Sequence, residues 1–431
     1  MLKLFRQEKN QLSTTEYLFI IGAMLCGFFI SADYSIIRPV SNSLFITKYG
    51  TQFFPYAWMI SIPLNLFLVG TYNKCLPKLG CLKTYLIVAS SIVAINSFCA
   101  LFIKQISFLV FFLYIWKEIY IMLMFQQLWS VIHSTIPLKR AKYLYGIFLG
   151  AGGIGSLLGS LLPGFFAVKV GSESLLYMTL PLYLCLTVTF ILTLKQSNQI
   201  FSLRLEKKIG TKLEKKIGTK DALLHGIKLI INSRTLAFIA LSVLFMQLSA
   251  TLIDYQFNTY LEQTIMSKDL RTQYTGRVLG MGLGISVCMQ FFGTYFLIQM
   301  MGIKHLHIGF PILLGSISIF SFLFPGFIMT TLVFILVKAC DFSLFTIIKE
   351  TLYIPLSSDE KFRAKAFIDV FLYRFAKVFA SLIILALQVF LTSYLLPVLN
   401  SISICVFISW IAIAIYLFKN IATSELKDNN A

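Results

Sequence analysis

The chain has 431 residues, 58% of them hydrophobic and only 13% charged, with a mean hydropathy of +0.81. Soluble domains carry about 25% charged residues, so this chain cannot clothe a water-exposed surface, and its length reads as one membrane unit rather than two or three soluble domains. The net charge of +19 is accounted for by loop placement in a membrane, described below, and requires no nucleic-acid partner.

Crossing a bilayer takes about 20 apolar residues. Runs of that length predict an all-α, polytopic protein of about twelve transmembrane helices, at 17–37, 52–72, 83–103, 106–131, 142–168, 174–195, 235–258, 275–300, 305–325, 327–350, 366–392 and 398–418. The first run lacks a small-residue cleavage site and is too long for a signal segment, so it reads as a retained helix. With the N-terminus inside, the inner segments carry Lys3, Arg6 and Lys9, then Lys74, Lys78 and Lys83, then Lys139, Arg140 and Lys142, and later Lys361, Arg363 and Lys365. The outer loops hold Lys48, Lys104, Lys169, Lys268, Arg271 and Arg277. This asymmetry follows the positive-inside rule and sets the basic loops against an anionic inner leaflet. Both termini are expected in the cytoplasm. The bacterial inner membrane is expected rather than a plastid envelope, because no transit peptide precedes the first run.

One long polar stretch, 196–233, divides the chain. Within it Leu-Glu-Lys-Lys-Ile-Gly-Thr-Lys occurs twice in tandem, at 205–212 and 213–220, which reads as a local duplication in a linker. Residues 221–233 look amphipathic and are expected along the inner membrane face. The predicted organisation is a six-helix half over 1–195, a basic linker over 196–233 and a second six-helix half over 234–431. This layout resembles that of major-facilitator-type transporters, whose halves are parallel repeats with the substrate site between them near mid-membrane.

Ionisable groups inside a span are costly unless they face a cavity or each other, so each is a functional candidate. Asp33 and Arg38 fall near the outer end of the first span, Lys117 and Glu118 in the fourth, and Asp254 in the seventh. The tenth holds Lys338, Asp341, Lys349 and Glu350, and the eleventh Asp369, Arg374 and Lys377. Helical spacing groups them. Gln247, Thr251, Asp254 and Asn258 form one stripe, and Lys338, Asp341, Phe345 and Lys349 another. Glu118 shares a face with Gln126, and Asp369 aligns with Tyr373 and Lys377. Arg374 and Lys377 would repel on one helix unless an anion binds between them, and phosphate suits both as a charge-assisted acceptor. The plainer account is that Lys338 and Asp341 neutralise each other and that Lys349 and Glu350 snorkel to the inner surface.

Other signals are weaker. Gly150-Ala-Gly152-Gly153-Ile-Gly155 matches a dinucleotide-binding pattern but lacks the strand that fingerprint needs. Close helix packing by small residues explains it, and likewise Gly276, Gly280 and Gly284. The eight cysteines show no metal or redox spacing and read as small packing residues. The four histidines show no metal spacing beyond one His-x-His. No Walker A sequence, nucleophile–base constellation or metal motif is visible, so the chain is not expected to be an enzyme and no cofactor is implied.

The segment 336–379 carries a resemblance. It contains Lys349-Glu350-Thr351-Leu352-Tyr353-Ile354-Pro355-Leu356, then Lys365-Ala366-Phe367-Ile368-Asp369, then Arg374-Phe375-Ala376-Lys377. In order and spacing it resembles the ATP/ADP translocases of plastids and obligate intracellular bacteria. Arg140-Ala141-Lys142-Tyr143-Leu144-Tyr145, Glu118 with its helix, and the acid Asp254 are weaker points of likeness. The resemblance implies a nucleotide carrier, ATP/ADP antiport by alternating access, working as a monomer in the lipid bilayer. It assigns substrate-binding or coupling roles to Glu118, Asp254, Lys349, Arg374 and Lys377, with Lys365 as a looser candidate. Lys338, Asp341 and Asp369 complete the expected polar cavity. One element departs: where the family has Arg-Asp-x-Lys-Asp-Ser-Leu, this chain has Arg38-Pro39-Val40-Ser41-Asn42-Ser43-Leu44. That change leaves open a different nucleotide or organic anion, or a proton-coupled mode; a non-transporting membrane receptor or assembly factor is a separate alternative.

Overall fold

The computed structural model describes residues 13–136, 138–207, 230–231, 233–290, 294–353, 367–391 and 394–428. Twelve α-helices carry these residues: α1 Thr14–Tyr49, α2 Phe54–Phe102, α3 Phe108–Thr135, α4 Leu138–Val170, α5 Thr179–Lys207, α6 Arg234–Thr264, α7 Lys268–Cys288, α8 Thr294–Leu323, α9 Phe327–Cys340, α10 Thr346–Leu352, α11 Tyr373–Phe390 and α12 Leu395–Asp428. Among the described residues there is no strand, and ten helical stretches are long and apolar enough to cross a membrane.

The helices do not map one-to-one onto the predicted runs. A continuous stretch over 51–102 contains two of them, divided at Gly80 (φ 77°, ψ 166°). The eighth run is shared between α7 and the start of α8, and Gly302 divides α8 in the same conformation (φ 74°, ψ 159°). Both are left-handed positions that suit glycine. They fall at matching places, between the second and third runs and between the eighth and ninth, as parallel repeats require.

Hydropathy also misplaced some ends. α1 continues twelve residues past the predicted 37, through Pro39 to Tyr49. Asp33 therefore sits in mid-helix, not near its outer end. The polar residues that ended the apolar run, Ser41, Asn42 and Ser43, are buried inside the protein, where hydrogen bonding replaces apolarity as the condition for membrane depth. α5 likewise runs on to Lys207, into the predicted linker. The second octapeptide, most of the amphipathic segment over 221–233 and the basic loop with Lys361, Arg363 and Lys365 lie outside the described residues.

The helices cluster into two compact units. The first comprises Met1–Lys48, Pro63–Glu214 and Ser267–Gly280, and the second Tyr49–Ile62, Lys215–Met266 and Met281–Ala431. Glycine sets the helix spacing in the first unit. A Cβ at Gly155 of α4 would lie 2.3 Å from the Phe28 carbonyl oxygen of α1, and one at Gly159 would lie 2.4 Å from that of Ala32. Gly276 of α7 meets Gly164 of α4 in the same way, at 2.6 Å from its nitrogen. The dinucleotide-like glycines of α4 are thus a packing surface, of the kind small residues make between membrane helices. In the second unit α6 is the central helix, packed by α9, α11 and α12, while α8 packs on α12. Phe310, Phe345, Phe407 and Trp410 form an aromatic cluster between α8, α12 and the turn after α9.

Each unit contains one repeated device. Gly50 (φ 79°) and Gly171 (φ 83°) each precede a hydroxyl residue that opens a 3₁₀ turn. In the second unit the Glu262 carboxylate accepts from the Thr51 amide (2.9 Å) and hydroxyl (2.6 Å). In the first, Asp269 accepts from the Ser172 amide (2.8 Å) and hydroxyl (2.5 Å). Each acid satisfies two donors that a helix start otherwise leaves without partners.

Candidate functional site

In the first unit the polar residues of mid-membrane lie between α1 and α3. Glu118 is half-buried, and the Tyr34 hydroxyl donates to its Oε1 at 3.1 Å. The neighbouring pair is reversed: the Tyr120 hydroxyl of α3 donates to Asp33 Oδ2 of α1 at 2.8 Å. Two tyrosine–carboxylate bonds of opposite sense thus tie the same two helices within a turn. Gln126, predicted to share the Glu118 face, donates to Asn73 at 2.7 Å.

Lys117 is only 1% exposed. Its Nζ donates to Asn42 Oδ1 at 2.6 Å and lies 3.9 Å from the centroid of the Tyr114 ring. A carboxamide oxygen and an aromatic face both solvate an ammonium where water cannot. Lys117 was visible in the sequence as an ionisable residue. Its partner was not, because the two are 75 residues apart. The altered element of α1 thereby acquires a structural part: Asn42, which stands where the family resemblance has aspartate, is the acceptor for Lys117.

In the second unit the polar stripe of α6 meets α9 and the turn after it. Lys338 Nζ lies 3.8 Å from Asp254 Oδ2 and 5.7 Å from the Phe334 ring centroid. Asp341, buried, accepts from Gln247 Nε2 at 3.2 and 3.3 Å. The plain expectation that Lys338 and Asp341 serve each other is therefore incomplete, since each reaches a stripe residue of α6. Asn258 donates to Asp254 Oδ1 at 3.0 Å, and Thr251 to the Gln247 carbonyl. All four stripe positions on α6 are thus engaged.

The backbone between α9 and α10 is a π-helical turn, Asp341–Phe345. A wider turn rotates everything after it relative to α-helical register. Lys338 and Lys349, aligned on an ideal α-helix, are parted by it. Lys349 lines a small cavity with Ser242, His307, Phe310, Phe345 and Trp410. A second π-helical turn, Phe367–Leu372, holds Asp369 and leads into Arg374 and Lys377. The Asp369 side chain lies outside the described residues. Arg374 and Lys377 are half-buried, and Lys377 Nζ lies 5.4 Å from the Trp58 ring centroid. On the same face of the unit Gln388 donates to the Tyr255 hydroxyl at 2.8 Å. Trp58, Gln388 and Tyr255 carried no signal in the sequence, being an aromatic and two polar residues among many.

Among the described residues no three His, Cys, Asp or Glu side chains gather where a metal ion could be held. What the second unit does hold is four cations, Lys338, Lys349, Arg374 and Lys377, along two adjoining membrane segments, with the three acids Asp341, Glu350 and Asp369 among them. Positive charge at membrane depth is stabilised by an anion that is itself desolvated.

The chain is a multi-pass helical membrane protein, and its fold is of major-facilitator type. Solved structures with the same fold include a point-mutant form of the nucleoside transporter NupG (TM-score 0.66, 13% identity, covering 93% of this chain and 100% of that chain). A D-xylose–proton symporter (0.63, 14%, 93% and 97%) and a bacterial homologue of the iron transporter ferroportin in its inward-facing state (0.59, 14%, 94% and 99%) are also similar. The family model described as TLC ATP/ADP transporter matches residues 82–421, and the chain belongs to that family. It is a membrane nucleotide carrier.

Proposed function

We propose that the carrier exchanges ATP for ADP by alternating access. The observation that supports this most is the set of four cations in the second unit, Lys338, Lys349, Arg374 and Lys377, in a chain of the ATP/ADP transporter family. In this reading Lys349, Arg374 and Lys377 hold the phosphates by charge-assisted hydrogen bonds. Asp369 and Asp341 balance them when the site is empty. Lys338 is shared between Asp254 and the incoming phosphate, so that substrate releases Asp254 from its ion pair. Glu118 in the first unit, bonded to Tyr34, plays the corresponding part there, and the two acids stabilise one facing state. The protein would act as a monomer in the inner membrane with both termini cytoplasmic and the basic loops of 196–233 and 361–365 on the same side. No chemistry on the nucleotide is involved.

The test is uptake of labelled ATP into proteoliposomes with and without internal ADP. Uptake that requires internal ADP establishes antiport. Uptake indifferent to internal ADP removes antiport, and its absence removes ATP as the substrate. The substituted element Arg38–Asn42 favours a second reading, in which the same fold carries another nucleotide or organic anion. A competition panel of nucleotides, sugar phosphates and carboxylates separates the two.

A further inference from the structure

Asp33 is an acid that the nucleotide-binding scheme does not use. It lies mid-way along α1 and is only 1% exposed. Its Oδ2 accepts from Tyr120, but its Oδ1 makes no hydrogen bond although it is fully buried. Every element packed around it can be named. From α3 comes Tyr120, and from α5 comes Tyr183, 1% exposed, with a buried hydroxyl that also makes no hydrogen bond. Tyr183 is within electrostatic reach of Asp33. Thr179 is beside it, receiving a 3.5 Å bond from the buried Asn96 of α2. From α4, Gly155 and Gly159 press against the α1 backbone and bring no side chain. The charged groups of α1 and α3 around this level are Arg38, half-buried and five residues further along α1, and Glu118 and Lys117 of α3. Glu118 takes the Tyr34 hydroxyl, and Lys117 is held by Asn42, nine residues or about 13 Å further along α1. Among the described residues no ion pair reaches Asp33.

An ionised carboxylate here would be fully buried with only the hydroxyls of Tyr120 and Thr179 to solvate it and no ion pair among the described residues, which is a costly arrangement in an apolar interior. The protonated acid suits the site. Its hydroxyl turns the bare acceptor Oδ1 into a donor, and the oxygens of Tyr183 and Thr179 are acceptors on the neighbouring α5. A group that is neutral while enclosed, and ionises when water reaches it, has the property that a proton carrier needs. Glu118, half-buried and bonded to Tyr34, differs from it in both respects.

We infer that Asp33 is a proton-binding site that couples nucleotide movement to proton movement. This rests on the carrier reading above. In each cycle the carboxylate takes one proton from water on one membrane face, crosses the enclosed state as the acid and returns the proton to water on the other. Only the O–H bond is made and broken, and one positive charge accompanies the nucleotide.

The experiment compares the native protein with Asp33→Asn and Asp33→Glu in proteoliposomes, measuring labelled nucleotide uptake with and without an acid-outside pH gradient. The carboxamide keeps an acceptor for Tyr120 and cannot titrate. The gradient is expected to raise native uptake several-fold. Asp33→Asn should retain exchange against internal nucleotide but lose the gradient stimulation, and Asp33→Glu should retain both. Native uptake insensitive to the gradient, or Asp33→Asn stimulated as strongly as the native protein, overturns the inference. Exchange without a gradient tests the nucleotide reading separately. If no nucleotide is carried, infrared spectroscopy of purified protein still decides, and if Asp33→Asn does not fold the comparison is made with Asp33→Glu alone. A carboxylic-acid carbonyl band of the native protein at neutral pH that is lost in Asp33→Asn, or shifted in Asp33→Glu, supports the site. A band unchanged by either substitution sinks it.

Discussion

The two compact units use membrane depth differently. The first is assembled by close approach: Gly155, Gly159, Gly164 and Gly276 let helix backbones touch, and Asp33, Glu118 and Lys117 are each tied to a named neighbour by a tyrosine or an asparagine. The second is assembled around aromatic packing, and its helices break register at Asp341–Phe345 and Phe367–Leu372. Among the described residues every π-helical turn lies in the second unit. Its cations cluster on the two segments that contain those turns. Helices that must approach to van der Waals contact cannot spare a misplaced carbonyl. Helices that present charged side chains can gain by rotating them with an extra residue in a turn. The second unit therefore carries its charges on register-shifted segments, and the first is a close-packed support with a few ionisable residues set in it.

The comparison can be broken at its strongest point first. Gly159→Leu would put a side chain into the Ala32 backbone, and because backbone cannot move aside as a flexible side chain can, the penalty should exceed the about 1–3 kcal/mol usual for overpacking. The expected outcome is little folded protein in detergent, read by size-exclusion chromatography. A monodisperse, normally melting variant would show that glycine packing does not set the α1–α4 spacing.

Next in size are the cations of the second unit. Lys377→Gln and Arg374→Gln each remove a charge-assisted bond worth about 1.5–3 kcal/mol. Nucleotide uptake efficiency should fall about 10- to 100-fold, with the melting temperature of the empty protein little changed. Equal loss of stability and transport would make these residues structural, as the tied residues of the first unit are.

A smaller effect is expected in the first unit at Asn42. Asn42→Leu leaves the buried Lys117 ammonium without its carboxamide acceptor and should cost about 2 kcal/mol of stability, measured by thermal unfolding. Asn42→Asp should recover it, since a carboxylate serves the same ammonium. If Asn42→Leu melts like the native protein, the 2.6 Å bond contributes nothing. Smallest is the Lys338–Asp254 pair, long at 3.8 Å and partly exposed. A double-mutant cycle with Lys338→Met and Asp254→Asn should give a coupling near the lower end of the about 0.5–3 kcal/mol range, measured without nucleotide. Adding ADP should reduce that coupling if substrate takes over Lys338. A coupling unchanged by ADP would return the pair to a purely structural role.

Much of this was legible in the chain. Apolar runs about as long as a bilayer is thick announce membrane helices, because hydrocarbon leaves a backbone no partner except itself. Spacing on one helix is equally local, so the Gln247-Thr251-Asp254-Asn258 stripe was read correctly as a single polar face. The ordered elements of 336–379 were distinctive enough to suggest the family that the match over 82–421 shows. Pairing between helices was not legible. Lys117 and Asn42, Tyr34 and Glu118, and Lys377 and Trp58 are separated by tens to hundreds of residues, and no periodicity links them. Nor was register. Lys338 and Lys349 lie on one stripe only if the helix between them is α throughout, and a π turn intervenes. The mid-helix position of Asp33 was hidden for a third reason. Hydropathy ended the first span at residue 37, whereas Ser41, Asn42 and Ser43 continue it, buried, with Asn42 meeting Lys117 of another helix. The sequence by itself determined the solvent of this protein and the inventory of charges that cross. Only the tertiary structure decided which charge meets which partner, because that depends on distances between helices, and no helix encodes its neighbours.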